Sequence, residues 1–242
     1  MQGSIQKLGF ENDSANTIVF SFAGQGSAGV VGYEWVNFFK DRFVKLVSVR
    51  DTQKAYYMGK LFDEDNNTIS TGVDSHVELF KKIIKESNCE NVVMTGSSLG
   101  GYASVLFGVL TNANYIMPYS SQTFIREHPK FGPNDRPHLK TWAYRHASKN
   151  DKDKYFDLTE LDYTNFTGEI HYHWSRSQRD NRYVKHISEF CKTYPKNKHD
   201  GDFTKKDVID FRVHDTIRLH SKLCQKLKQW GYLEKHFEGV IK

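Results

Sequence analysis

Residues 92–104 read Val-Val-Met-Thr-Gly-Ser-Ser-Leu-Gly-Gly-Tyr-Ala-Ser, and they constrain this chain more than any other stretch. An apolar, β-prone run enters Gly-x-Ser-x-Gly and leaves it in a slim helical pattern. That is the sequence form of a nucleophile elbow, a sharp strand-to-helix turn with a serine at its tip. The glycines have a steric reason. The turn is strained and its flanks pack closely, so Cβ atoms two residues either side of the serine would clash. This register selects Ser98, between Gly96 and Gly100, whereas Ser97 would put Thr95 and Leu99 at the positions that need to be small. The surroundings agree with the motif. Residues 90–95 are apolar and β-prone, and Leu99, Ala103, Leu106, Phe107 and Leu110 recur at helical spacing.

The same alternation of strand and helix continues along the chain. Strands are predicted at 18–22, 43–49, 114–117, 169–174 and 208–213, with a helix over about 74–87 and a closing helix carrying Leu223, Leu227 and Trp230. This rhythm predicts an α/β fold, a mostly parallel sheet with helices on both faces. At 242 residues the chain suits one domain over 1–242. Residues 119–167 break the rhythm: no strand is evident, and four of the five prolines lie between Pro118 and Pro137. A long insertion of this kind is expected to act as a lid or binding loop, with Trp142, Tyr144, Tyr155 and Phe156 available to cover a pocket.

Composition excludes several classes. A net charge of +5 with dispersed lysines describes a solvated basic surface rather than a nucleic-acid binder. The cluster Lys192, Lys196, Lys198, Lys205 and Lys206 reads as a rim able to attract an anionic glycan or acyl carrier. No apolar run reaches membrane-spanning length, and residues 1–17 lack a signal pattern, so a cytoplasmic location is expected. Cys89, Cys191 and Cys224 show no metal spacing and read as reduced thiols. His171 and His173 share one strand face without a third ligand, so they read as strand histidines. Neither a metal nor a cofactor is expected, and oligomeric state is not legible.

With elbow, alternation and insertion in place, the chain resembles the α/β-hydrolase family over roughly residues 17–238. The 16 residues ahead of the first long strand are too few for the family's leading hairpin, which implies a shortened sheet. The pairs Arg50-Asp51 with Tyr56-Tyr57-Met58-Gly59, and Ser121-Gln122-Thr123-Phe124, are similar to small hydrolase-like proteins found with bacterial surface-glycan assembly.

The resemblance implies a triad in the order serine, acid, histidine. Asp180 follows the penultimate strand and is placed to orient an imidazole, the alternative being a cap for the helix that begins near Tyr183. The base should follow the last strand. His220, ahead of the closing helix, is the preferred base, and His214, directly after strand 208–213, is the alternative. Oxyanion donors are expected from the Leu99 N–H and from the glycine-rich loop at Gly24 and Gln25. That loop, Gly24-Gln25-Gly26-Ser27, also looks like the start of malonyl-CoA:acyl-carrier-protein transacylases. Ala28 and Gly101 depart from their pattern, and no room remains for their inserted subdomain.

These features imply a serine esterase or deacylase working through an acyl-enzyme. The expected substrate is a small-molecule or glycan ester, with an acylated glycan preferred. The alternatives are an acyltransferase using the same triad and a non-catalytic scaffold in glycan assembly.

Overall fold

Alternating side chains on adjacent strands decide which layers form. In the computed structural model, which describes residues 3–25, 33–133, 137–178, 181–193, 209–214 and 223, seven strands build one sheet in the order β1-β3-β2-β6-β7-β8-β9. The chain enters through β1 (Ile5–Leu8), β2 (Thr17–Phe22), the short helix α1 (Val36–Phe39) and β3 (Lys45–Val49). A separate two-stranded unit, β4 (Lys60–Phe62) and β5 (Thr68–Thr71), leads into α2 (Gly72–Ser87). The centre is β6 (Asn91–Ser97), α3 (Leu99–Thr111) and β7 (Tyr115–Tyr119). The insertion contributes α4 (Pro137–His146) and α5 (Lys149–Tyr155), and β8 (Glu169–Ser175), α6 (Arg182–Thr193) and β9 (Ile209–His214) follow.

All pairings in this sheet are parallel except β1 with β3. The residues ahead of β2 therefore do supply one antiparallel edge strand, which its short, mixed composition concealed. Residues 43 and 44 were expected in β3; they precede it, with Phe43 51% exposed.

Period-2 alternation splits the core. Val19, Leu46, Val93 and Met117 face one side with Phe38 and Phe39 of α1 and with Leu223. Ile18, Phe20, Val47, Met94 and Ile116 face the other, against α2, α3 and α6. On α2 the stripe Val73, Val77, Phe80 and Ile83 is buried, and the Phe80 ring meets Phe20, Phe22 and Phe107 edge-on at 5.0–5.7 Å. Helix α3 is buried on all sides from Leu99 to Val109. Gly108 has a packing role there, since a Cβ would come within 2.4 Å of Ile116 Cδ1.

The insertion joins the larger core. Tyr155 and Phe156, expected to cover a pocket, are instead buried in that core with Leu158 and Phe166. The Tyr102 hydroxyl of α3 donates to the Tyr155 carbonyl, which pins this part of the insertion. Trp142 and Tyr144 remain partly exposed. Among the described residues no helix is long and apolar enough to cross a membrane.

Candidate active site

The strands β2, β6, β7, β8 and β9 run parallel, so their carboxyl ends share one edge of the sheet. Ligand sites in open α/β sheets form at that edge. The elbow lies there at the middle of the sheet. Ser98 links β6 directly to α3 and has φ 54° and ψ −114°, a left-handed backbone for a residue with a side chain. The turn is held from both sides. The Ser98 N–H donates to the Tyr119 carbonyl at 2.8 Å, and its own carbonyl accepts from Tyr102 N–H at 3.1 Å.

Close packing explains the glycines around it. A Cβ on Gly96 would lie 2.4 Å from the Gly100 carbonyl oxygen, and one on Gly100 would lie 2.0 Å from the Phe22 oxygen. Ser97 has a different neighbour. Its hydroxyl donates to the Glu34 carboxylate at 2.7 Å, so the two adjacent serines face separate environments.

Glu34 organises the wall beside the elbow. Burial raises its pKa above the ordinary carboxylate value, against the hydrogen bonds from Ser97 and the Gly24 N–H. The Gly24 amide, expected as an oxyanion donor, is thus engaged with Glu34. A Cβ at Gly24 would also come within 2.9 Å of the Ser97 carbonyl oxygen. Leu99 is the first residue of α3, so its N–H belongs to the helix-terminal donors that lack intrahelical acceptors.

The motif Arg50-Asp51 with Tyr56-Tyr57 proves to be a brace for the loop after β2. The buried Asp51 carboxylate accepts from the N–H groups of Gln53, Ala55 and Tyr57. These bonds stabilise a turn in which Tyr56 and Tyr57 both have positive φ. The Tyr57 hydroxyl then reaches the Ala23 carbonyl at 2.9 Å, next to Gly24.

One residue beside the serine has no role in the sequence motif that contains it. Gln122 follows β7 in a run, Ser120 to Thr123, that is polar and buried throughout. Its Nε2 donates to Ser98 Oγ at 3.3 Å. Its Oε1 is buried and has no hydrogen-bond partner among the described residues.

Asp180 and His220 lie outside the described residues, as do Lys196, Lys198, Lys205 and Lys206. His214 closes β9, its backbone registered opposite Ser175 of β8. His171 contacts Glu169 at 3.0 Å and His173 stacks on Tyr119 at 5.0 Å between ring centroids, so the two strand histidines have separate partners. Neither Cys89 nor Cys191 is in a disulfide.

No family model and no curated protein matches the sequence. Solved structures do. A capsule O-acetyltransferase of Neisseria meningitidis serogroup A aligns with a TM-score of 0.59 at 14% identity, over 90% of this chain and 86% of that one. FphF, a fluorophosphonate-binding serine hydrolase of Staphylococcus aureus, gives a TM-score of 0.55 at 10% identity, over 95% and 97%. The chain has the α/β-hydrolase fold. Its likeness also extends to the Glycosylation Associate Protein (Gap123) complex of Streptococcus agalactiae, with a TM-score of 0.60 at 15% identity. There the match takes in 96% of this chain but 44% of the other.

Proposed function

We propose that this α/β-hydrolase-fold protein is a serine acyl hydrolase that cleaves an ester, with an acylated glycan as its substrate class. The observation that carries the reading is the strained elbow, which presents Ser98 at the start of a buried helix and beside the Gln122 amide. Asp180 would orient the base and His220 would be that base.

Two placements support His220 over His214. Strand β9 is separated from β6 by β7 and β8, so its backbone lies three strand spacings, about 14 Å, from the elbow strand. That exceeds the reach of one imidazole plus a hydrogen bond of about 3 Å. The chain has returned to the centre of the sheet by Leu223, which is buried in the cluster containing Val93, Met117 and Tyr119. His220 precedes it by three residues in the sequence.

The chemistry then runs in two halves. His220 takes the Ser98 proton as Oγ attacks the ester carbonyl, and the oxygen charge that develops is met by the Leu99 and Gln25 N–H groups. Collapse expels the alcohol with the proton from His220 and leaves Ser98 acylated. Water, deprotonated by His220, releases the acid and restores the serine.

A second reading is acyl transfer, in which a sugar hydroxyl replaces that water. The likeness to an O-acetyltransferase favours it, as does the buried acceptor Gln122 Oε1 beside the serine, which could hold such a hydroxyl. A fluorophosphonate probe tests the shared core. Labelling of wild type but not of Ser98→Ala supports the reading, and absence of labelling in both turns it towards a scaffold. His220→Ala should abolish labelling while His214→Ala keeps it. Acetyl ester turnover with and without an added glycan acceptor then separates hydrolysis from transfer.

A further inference from the structure

Outside the elbow, one cluster joins three distant segments. His128 comes from the loop after β7, Asp157 from the turn after α5, and His186 from α6. One donor atom from each lies within 4.8 Å of the others. We propose that His128, Asp157 and His186 bind one divalent transition-metal ion of the zinc type, tying the insertion to α6.

The carboxylate is the strongest argument. Asp157 is 1% exposed, and its Oδ1 takes the Thr159 N–H at 2.9 Å and the Thr159 hydroxyl at 2.7 Å. Its Oδ2 is buried and has no hydrogen-bond partner among the described residues. The neighbour on that side is His128 Nε2, 3.9 Å away. A buried carboxylate oxygen without a donor is costly, and a cation compensates it directly.

The imidazoles complete a ligand set. His186 Nδ1 contacts the Thr123 hydroxyl at 2.8 Å, an outer contact of the kind that orients a metal-bound ring, and its Nε2 lies 3.2 Å from the Thr159 hydroxyl, a contact the ion would replace. His186 Nε2 stands 3.4 Å from Asp157 Oδ1. A tetrahedral zinc brings its donors to about 3.4 Å from one another. Measured to Oδ1, the His186–Asp157 edge already meets that spacing, whereas Oδ2 and His128 Nε2 stand 3.9 Å apart and have to draw in. Its loop is the place for such a movement, because the His128 side chain is 20% exposed.

His128 Nδ1 accepts the Lys130 and Phe131 N–H groups at 3.1 and 3.3 Å, which places the ring proton on Nε2. Metal binding shifts that proton to Nδ1, so the ring has to turn away from these two N–H donors as it draws in, a cost set against the metal–imidazole bond. Phe124 and Phe131 pack on both histidines at 4.8–5.5 Å between centroids, forming an apolar shell that strengthens coordination. Two imidazoles and one carboxylate select zinc or cobalt over magnesium or calcium. A water would take the fourth position.

The test is metal uptake by the full chain after stripping with a chelator. Wild type should bind about one equivalent of Zn2+ or Co2+, show visible Co2+ bands of a low-coordinate site, and melt at higher temperature in Zn2+ than in chelator. His128→Gln, in an exposed loop and checked for folding by circular dichroism, should weaken affinity roughly 100-fold. Asp157→Asn should do the same, and His171→Gln should change nothing. Sub-stoichiometric uptake, or uptake unchanged in His128→Gln, overturns the proposal. Ser98 labelling is a separate readout, so either proposal can fail alone.

Discussion

The elbow and the histidine cluster are neighbours in space and opposites in construction. Gln122 touches Ser98, and Thr123, the next residue, touches His186. The elbow is assembled from consecutive residues whose glycines are dictated by backbone packing. The cluster takes its groups from three separate segments, with aromatic rings and a buried carboxylate between them. A site of the first kind depends on local stereochemistry, and one of the second kind on how the insertion docks. Substitutions should therefore act differently at the two.

The largest expected effect tests the chemistry at the elbow. Ser98→Ala should lower ester turnover by about 10^4-fold or more. Its folding should be intact, because alanine keeps the hydrogen bonds of the backbone at that position. If activity survives, the elbow is a scaffold feature and the contrast with the cluster loses its catalytic side.

Next comes the packing of the turn. Gly100→Ala puts a Cβ 2.0 Å from the Phe22 oxygen, and both partners are backbone that cannot rotate away. It should destabilise the protein by about 3 kcal/mol in urea unfolding. A near-neutral result would mean that the turn is far softer than its geometry.

These contrasts explain what the sequence revealed. Strands β2 and β6 were legible to within a residue or two as apolar runs, as buried parallel strands are, and β8 and β9 were legible from alternating apolar and polar residues. Ser98 was legible because steric demand and residue identity fall in one short window. Strand β1 was missed because an edge strand needs no strong pattern. Glu34 and Gln122 were invisible as partners of the serine pair, since loop closure alone brings them there. The histidine cluster was hidden for the same reason: His128, Asp157 and His186 have no ligand spacing along the chain.

Acid loads the helix packed beneath the elbow through one buried histidine. His76 of α2 is buried under α3, its ring 6.0 Å from Phe107, and burial lowers its pKa from 6.5 to about 4. Above pH 6.5 the ring is neutral in both folded and unfolded chains, and the stability is complete. Between pH 6.5 and 4 the unfolded chain takes up a proton that the folded one refuses, so stability falls with falling pH. The loss should reach roughly 3 kcal/mol near pH 4. Chemical unfolding of wild type and His76→Gln across this range checks it; the variant should lack that slope.

The smallest effect is the most informative about the shared border. Gln122 holds Ser98 Oγ through a 3.3 Å contact, and its buried Oε1 has no donor among the described residues. Gln122→Ala removes one modest hydrogen bond to the nucleophile, worth about 1 kcal/mol, so fluorophosphonate labelling should slow by roughly five- to tenfold. If Oε1 also receives the acceptor hydroxyl, the glycan-dependent rate should fall further than probe labelling, with KM for the acceptor rising. If both fall equally, Gln122 positions the serine alone. Metal affinity gives the control on the other side of the border. It should be unchanged in Gln122→Ala, because the bond that orients His186 belongs to Thr123.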